Sequence, residues 1–286
     1  MLYGGIEAGG TKFVCAVADE NQNILEQVSI PTTQPEETLE KVFAFFDQFT
    51  LAAMGVGSFG PIDIQTQSET YGYVLATPKK GWANYPFLPA LKERYDIPMA
   101  WTTDVNAAAY GELKMGAAKG KSSCIYLTVG TGIGAGVVIN GDVYQGIAHP
   151  EMGHIRVKRN PEDSYEGTCP FHKDCLEGLA AGPSLEKRTG TKGQYLSEND
   201  PVWEIEADYI AQALMTYTLT LAPEKIILGG GVMNQQHLVE KIRKAFEREM
   251  AGYVVTPPLD EYIVTWGLPN KSGILGCTLL AENLVK

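Results

Sequence analysis

The chain has 286 residues, of which 44% are hydrophobic and 20% are charged, and its 31 glycines are spread along the length. This composition is typical of a globular protein, long enough for one large domain or two ordinary ones. The formal net charge of -11 argues against binding to nucleic acid or to an anionic membrane, since both are polyanions.

The sequence also bears on location. We expect no membrane-spanning helix, because no stretch approaches the roughly twenty apolar residues that a span needs, and no secretory signal, because the opening "MLYGGIEAGG" has no basic region followed by an apolar run. Cys15, Cys124 and Cys277 lie among apolar neighbours and are predicted to be ordinary core residues. A reducing, cytoplasmic location follows from these features.

Strand and helix signals alternate along the chain, which predicts an α/β architecture. In chain order, we expect a strand pair over 3–24, a helix over 35–49, strands over 52–58 and 97–103, a helix over 105–116, a second strand pair over 124–143, a polar loop, a helix near 203–222, a strand over 224–228, a helix near 235–250 and a last helix from about Gly273.

The two strand pairs share one layout, in which β-branched residues flank a Gly/Thr loop. Two copies of one unit suggest two related domains. The second loop matches the dinucleotide pattern G-x-G-x-x-G/A, with Glu151 at a plausible distance, but a strand follows it where that fingerprint requires a helix. We therefore expect phosphate cradles with Thr11, Lys12 and Thr131 as donors. Simple hairpin turns are the alternative.

The polar loop over 167–178 reads "GTCPFHKDCLEG", with two residues between each of Cys169, His172 and Cys175. This spacing indicates a metal site. No helix rich in Lys and Arg follows, as it would in a DNA-binding zinc finger. Chance clustering of ligand-type residues is the alternative.

A family resemblance covers nearly the whole chain. The segments "GGIEAGGTKF", "TDVNAAAYGE", "VGTGIGAG", "HPEMGH", "CPFHKDCLEG", "AAGPS" and "LGGGV" occur in the order seen in the ROK family of bacterial sugar kinases, and the sequence most resembles the fructokinases of that family. The resemblance implies the actin and hexokinase (ribonuclease H-like) fold, with a cleft between two α/β domains. It places one domain at 1–115, completed by a C-terminal helix at about 272–286, and the other at 116–271.

The resemblance also assigns the catalytic residues. Asp104 corresponds to the general base that accepts the proton of the attacking sugar hydroxyl, although an Asp before "VNAAAYGE" is also an ordinary helix N-cap. Thr103 stands where many members have an Asn that binds sugar. Glu7 stands where most have an Asp, and is expected to hold Mg²⁺ through water beside the ATP phosphates.

The remaining assignments concern ATP, sugar and zinc. The expected sugar ligands are Thr103, Glu151, His154 and Glu177. The expected ATP site consists of Gly9, Gly10, Thr11, Lys12, Thr131, Gly132, Pro183, Gly229, Gly230 and Gly231. The expected structural zinc ligands are His154, Cys169, His172 and Cys175, in which His172 replaces the middle cysteine of the family's usual loop and Phe171 occupies that cysteine's place. We expect the zinc to support the sugar site and to leave the phosphate hairpins unaffected.

The resemblance implies a kinase that transfers phosphate from ATP to a hexose, with fructose to fructose 6-phosphate as the leading reaction. A glucokinase or mannokinase is the alternative within enzymes. A non-catalytic, sugar-responsive regulator is the alternative outside them; the regulators of the family carry a DNA-binding domain ahead of the first hairpin, where this sequence has only "MLY". Family members are often dimeric, which implies a homodimer.

Overall fold

The computed structural model describes residues 1–286 and contains two five-stranded sheets. The first sheet has the order β3-β2-β1-β4-β5, and its hairpin β1–β2 is antiparallel while β1, β4 and β5 are parallel. Its strands are β1 (Tyr3–Ala8), β2 (Lys12–Ala18), β3 (Ile24–Pro31), β4 (Ala53–Ser58) and β5 (Met99–Thr103). The helices of this part are α1 (Pro35–Phe46), α2 (Phe87–Arg94) and α3 (Asp104–Lys114).

The second sheet has the order β10-β9-β6-β7-β8 and repeats that layout, because the hairpin β6–β7 is antiparallel and β9 pairs with β6 in parallel. Its strands are β6 (Cys124–Val129), β7 (Ile133–Ile139), β8 (Asp142–Val143), β9 (Ile226–Gly229) and β10 (Ile263–Thr265). The other helices are α4 (Leu176–Ala180), α5 (Gly182–Thr189), α6 (Val202–Leu221), α7 (Gln236–Met250), α8 (Leu259–Tyr262) and α9 (Ser272–Asn283).

Each sheet has its own apolar core. The core of the first sheet includes Ile6, Phe13 and Trp82, and that of the second includes Ile125 and Trp203. Strand β4 is buried along its whole length, as expected for a central parallel strand. No helix in the structure combines the length and the apolar character that a bilayer crossing requires.

The structure contains several elements that the sequence does not predict, among them β3, α2, α4, α8 and β10. Helix α2 has eight residues and only Phe87, Leu88 and Leu91 buried, so its apolar pattern is too short to be distinguished from a loop. Strand β10 has three residues and is held by parallel pairing with β9. Helix α1 ends at Phe46, earlier than the predicted boundary at 49.

The topology brings several chain segments to one edge of each sheet. In the first sheet, the carboxyl ends of β1, β4 and β5 lead directly into Gly9, Phe59 and Asp104. In the second sheet, β6 and β9 end next to Gly130 and Gly230. Ligands of α/β proteins bind preferentially at such edges, so the fold itself collects the predicted site residues.

The backbone of helix α3 is in direct contact with the backbone of α9 on one side and of β7 on the other. A Cβ atom built on Gly276 of α9 would lie 1.7 Å from the carbonyl oxygen of Ala107, and one built on Gly136 of β7 would lie 2.0 Å from that of Val105. No side chain fits at either contact, so glycine is required on both sides of the helix. Because α3 belongs to both interfaces, the domain limits 1–115, 116–271 and 272–286 remain a prediction.

Glu112, near the end of α3, is a fully buried carboxylate that binds a distant loop. It accepts hydrogen bonds from the backbone N–H groups of Ala117 at 2.7 Å, Gly267 at 2.9 Å and Leu268 at 3.0 Å, and from the hydroxyl of Ser272 at 2.6 Å. The interaction therefore fixes α3 to the segment that begins α9.

Replacing Glu112 with Ala should lower the free energy of unfolding by roughly 3 to 5 kcal/mol, because several buried donors lose their acceptor. Urea denaturation followed by circular dichroism measures this change. Glu40→Ala, an exposed helical glutamate, is the matched control and should change stability by less than about 0.5 kcal/mol. Equal, small effects of the two substitutions would contradict the anchoring role of Glu112.

Candidate active site

A cavity of about 290 Å³ lies between the edges of the two sheets. Glu7, Lys12 and Asp104 line it from the first half, and Thr128 and Gly230 line it from the second. The structure thus places the predicted base, the predicted magnesium residue and the predicted phosphate lysine together around one space. Such a combination of carboxylates and a cation suits a reaction of phosphate groups.

Asp104 is the first residue of α3, and the structure separates it from the N-cap function. The cap is Thr103, whose Oγ1 accepts a hydrogen bond from the backbone N–H of Asn106 at 3.2 Å. The carboxylate of Asp104 accepts from the N–H of Val105 at 2.9 Å and still lines the cavity. The proposed sugar contact of Thr103 stays a prediction, since its hydroxyl already serves the cap.

Burial raises the pKa of Asp104 to about 6, against a small lowering by backbone hydrogen bonds. The pKa of Glu7 is raised to about 7, first by burial and then by the charge of Asp104, while Lys12 acts in the opposite direction. A carboxylate with a raised pKa is a better proton acceptor, so the site is suited to general base catalysis.

A second cavity, of about 460 Å³, lies beside the hairpin of the second sheet. Thr131, Pro183 and Gly231 line it, as the expected ATP site requires, and Gly231 also lines the first cavity, next to Gly230. The backbone N–H of Gly182 donates to Gly130 O at 2.7 Å, which joins the start of α5 to the hairpin.

The other predicted ATP residues lie in the hairpins and strands around these spaces. Gly9 N donates to Lys12 O at 3.0 Å and closes the bend that contains Gly10 and Thr11. Gly229 is buried at the end of β9, so close to Tyr126 that a Cβ there would lie 2.1 Å from the phenolic oxygen. Neither cavity includes Gly9, Gly10, Thr11, Gly132 or Gly229 in its lining, and their contacts with ATP stay predictions.

The predicted sugar residues Glu151, His154 and Glu177 lie close together. His154 Nε2 is 4.0 Å from Glu177 Oε1. Burial raises the pKa of Glu151, His154 lowers it, and the charges of Glu177 and Asp104 raise it further. The backbone N–H of His154 also donates to Glu151 O at 3.1 Å, so Glu151 and Glu177 both adjoin His154.

Glu177 also contacts the phosphate hairpin. Its Oε2 accepts from the backbone N–H of Ile133 at 3.0 Å, and Gly132 lies so near that a Cβ on it would be 2.7 Å from the same oxygen. The expectation that the zinc leaves the phosphate hairpins unaffected stays a prediction, and this contact is the route by which the metal loop could act on one of them. The distance in sequence between the loop and the hairpin concealed an interaction that only the tertiary fold creates.

The four predicted metal ligands form one cluster, whose ligand atoms all lie within 4.8 Å of one another. His154 Nδ1 is 3.6 Å from the sulfur atoms of both Cys169 and Cys175, and His172 Nδ1 is 3.8 Å from that of Cys169. Tetrahedral zinc with bonds of about 2.3 Å to sulfur and about 2.0 Å to nitrogen requires sulfur–nitrogen separations of about 3.6 Å. The residues fit such a metal, and no disulfide competes for the cysteines.

The orientation of His154 reconciles its two predicted functions. Nδ1 points into the metal cluster, while Nε2 points towards Glu177. A metal bound at Nδ1 would leave the proton on Nε2, where it can be donated to a carboxylate or a sugar hydroxyl. One histidine can thus serve the metal and the cleft at the same time.

Several residues of the site escaped the sequence analysis. Trp266, Asn270 and Lys271 line the first cavity, and Lys192 and Trp203 line the second. These residues occur singly in segments without a glycine-rich or metal-binding pattern, so no local signal distinguishes them. His149 is within "HPEMGH", but the spacing gave it no function.

Comparison with protein families matches residues 3–284 to the ROK family. The chain belongs to the ROK family. The match includes both sheets, both glycine hairpins and the metal loop, and so confirms the resemblance on which the site assignments depend.

The full-length relatives include fructokinases and glucokinases. The chain is 51% identical over 286 residues to the fructokinase of Pediococcus pentosaceus, with 100% of this chain and 99% of that protein covered. It is 50% identical over 289 residues to a putative fructokinase of Bacillus subtilis, with 100% and 97% covered. A glucokinase of Streptomyces coelicolor is 28% identical over 317 residues, with 97% and 96% covered.

Solved ROK structures confirm the predicted hexokinase-like α/β fold. The ROK hexokinase from Thermus thermophilus superposes with a TM-score of 0.84 at 28% identity, covering 100% of this chain and 99% of that one. A ROK family glucokinase from Streptomyces griseus, solved with glucose and AMPPNP, superposes with a TM-score of 0.78 at 26% identity, covering 99% and 100%.

Proposed function

We propose that the protein is an ATP-dependent fructokinase that converts D-fructose to fructose 6-phosphate. The observation that carries this proposal is the full-length identity of 50–51% to fructokinases, against 28% to a glucokinase of the same family. The cavity that contains Asp104, Glu7 and Lys12 supports the kinase chemistry, because it combines a base with groups suited to phosphate and its metal ion.

In the proposed reaction, Asp104 accepts the proton of the C6 hydroxyl as that oxygen attacks the γ-phosphorus of ATP. The new oxygen–phosphorus bond forms while the bond to the β-phosphate oxygen breaks, and ADP leaves. Lys12 and the backbone N–H groups of the hairpins stabilise the negative charge on the phosphates. Mg²⁺ bound to ATP would neutralise part of that charge, and Glu7 would hold it through water.

The remaining residues bind the two substrates. Glu151, Glu177 and the Nε2–H of His154 would hold sugar hydroxyls, since each carboxylate can accept two hydrogen bonds. The cavity at Thr131, Pro183 and Gly231 would hold the adenosine part of ATP. The resulting geometry would place the sugar hydroxyl between Asp104 and the γ-phosphate, which removes much of the entropic cost of the reaction.

We assign a structural zinc ion to His154, Cys169, His172 and Cys175. The closed set of four N and S ligands supports this assignment, because catalytic zinc sites keep an open position. The bond from Glu177 to Ile133 extends the influence of the metal loop to the phosphate hairpin. Assembly as a homodimer and a cytoplasmic location remain expectations from the family resemblance and the sequence.

A hexose panel tests the substrate assignment. With Mg-ATP, fructose should give the highest kcat/KM among fructose, glucose, mannose and N-acetylglucosamine, measured by coupled detection of ADP. A clearly higher value for glucose or mannose would transfer the assignment to a different ROK kinase.

Replacing Asp104 with Asn should lower kcat for fructose by about a hundredfold or more, because the amide cannot accept the hydroxyl proton. The affinity for ATP, measured by calorimetry with a non-hydrolysable analogue, should stay within about twofold. Asp142→Asn, at an exposed aspartate of β8, is the control and should retain full activity. A nearly active Asp104→Asn enzyme would rule out the base.

The pH profile provides an independent test of the same residue. A base works only when deprotonated, so kcat/KM for fructose should fall as the pH drops through about 6, where Asp104 takes up a proton, with a contribution from Glu7 at about 7. Steady-state kinetics between pH 5 and pH 9 measure the profile. In Asp104→Asn, the residual activity should lose the step near pH 6; an unchanged step would assign it to another group.

Metal analysis of the purified protein should give about one zinc per chain. Cys175→Ala should remove most of it, while Cys15→Ala, in the core of the first sheet, should leave it unchanged. Because Glu177 joins the metal loop to the hairpin, Cys175→Ala should weaken fructose binding about tenfold or more and ATP-analogue binding to a smaller degree. Unchanged fructose binding in the zinc-free variant would contradict the structural function of the metal.

A further inference from the structure

His149 is a buried histidine beside the sugar side of the cleft. It lies two residues before Glu151, in the loop that follows β8. Its side chain is 5% exposed, whereas that of Glu151 is 49% exposed. Nothing in the proposed reaction uses the ring, yet it stands between Glu151 and the opposite half of the protein.

The two ring nitrogens of His149 have different partners. The backbone N–H of Ile62 donates to Nε2 at 3.0 Å, so Nε2 acts as an acceptor and carries no proton. The proton of the neutral ring therefore lies on Nδ1, which is 3.5 Å from Glu151 Oε1. Burial lowers the pKa of His149 and outweighs the backbone hydrogen bonds to Pro150 and Ile62, which act in the opposite direction, so the neutral form is favoured. The ring of His149 therefore lies between the backbone N–H of Ile62 and the carboxylate of Glu151.

The two loops in contact come from different sheets. Ile62 follows β4 of the first sheet, and the indole N–H of Trp101 donates to Asp63 O at 2.9 Å, which fixes this loop to the first core. Gln65 Nε2 donates to Gly146 O and to Ile147 O, both at 2.9 Å. The loop after β4 therefore holds the loop after β8 in two ways. Gln65 donates to backbone carbonyls of that loop, and the backbone N–H of Ile62 donates to the ring of His149.

We propose that His149 is a positioning residue for the hexose. Its Nε2 accepts the hydrogen bond from the Ile62 amide, which fixes the ring, and its Nδ1–H orients the carboxylate of Glu151 towards the sugar. This inference rests on the proposed function, in which Glu151 binds sugar hydroxyls. A half-exposed glutamate has several rotamers of similar energy, and binding of the sugar must fix one of them at a cost in side-chain entropy. A donor fixed by a buried ring reduces that choice before the sugar arrives.

The ring of His149 and the backbone of its loop make separate contacts, so their effects on fructose binding can be measured separately. Gln65 fastens the same loop through backbone carbonyls but does not approach Glu151 through any hydrogen bond. If the ring orients Glu151, its removal should affect fructose binding far more than removal of the Gln65 bonds. If the loop contact alone matters, the two changes should be equivalent.

Three substitutions at His149 separate its two contacts. Asn keeps an amide N–H near the position of Nδ1 but is too short to reach Ile62, Gln places an acceptor near the position of Nε2, and Ala removes both. His149→Ala should raise KM for fructose about tenfold, the loss typical of one hydrogen bond to a charged group, while kcat and KM for ATP change less than about twofold. His149→Asn should recover most of the lost affinity, and His149→Gln should recover less.

A double-mutant cycle with Glu151→Gln tests whether His149 acts through Glu151. The double variant His149→Ala/Glu151→Gln should bind fructose no more weakly than Glu151→Gln alone, because the positioned group is already altered. Additive losses would overturn the proposal, as would an effect of Gln65→Ala on KM equal to that of His149→Ala. A rise in KM for ATP matching that for fructose would also overturn it, because it would indicate general disruption.

The controls keep the two proposals separable. Each variant is first compared with the wild type by thermal denaturation. If His149→Ala is unstable, the Asn and Gln variants are compared with each other instead. Equal KM values for fructose in these two variants would overturn the inference. If wild type does not phosphorylate fructose, the proposed function fails, and the cycle is repeated with the hexose it does phosphorylate. If Glu151→Gln leaves KM for that hexose unchanged, the sugar-binding function of Glu151 fails and the inference about His149 fails with it.

Discussion

The position of helix α3 is the constraint on which the site depends. Its backbone touches α9 at Gly276 on one side and β7 at Gly136 on the other, at distances that leave no space for a side chain. Glu112 then fixes the far end of the helix to the segment that begins α9 through three hydrogen bonds. These contacts therefore determine the position of Asp104, the first residue of α3. The carboxylate of the proposed base is therefore placed by the packing of the whole molecule, and not by the loop that precedes it.

A second constraint comes from the metal loop. The cluster of Cys169, Cys175, His172 and His154 orients the imidazole of His154, and that ring faces Glu177. Glu177 in turn accepts a hydrogen bond from Ile133 of the phosphate hairpin. One carboxylate thereby contacts elements that the proposed reaction assigns to sugar, metal and ATP. A zinc ion bound to these four side chains, as proposed, would make the loop a rigid support, because the segment otherwise has little regular structure.

The sequence predicts the parts of the fold that have local signals, and it fails where the signal is tertiary. Glycine-rich bends between β-branched strands, the amphipathic α1 and the even spacing of Cys169, His172 and Cys175 all depend on short stretches of chain. The cap at Thr103, by contrast, was not assigned, because the choice between adjacent cap residues depends on a ψ angle. The bonds from Glu177 to Ile133 and from Ile62 to His149 span 44 and 87 residues, and no local pattern encodes them.

The position of Glu177 has a thermodynamic consequence. Its carboxylate contacts both the hairpin that would receive the triphosphate and a side chain that would receive the hexose, so binding of either ligand there would change the hydrogen bonds available to the other. Linkage is reciprocal: whatever factor a bound hexose imposes on the dissociation constant of ATP, ATP must impose on that of the hexose. A positive coupling through this acceptor would favour the ternary complex over either binary one, and so would limit hydrolysis of ATP by water in the absence of sugar.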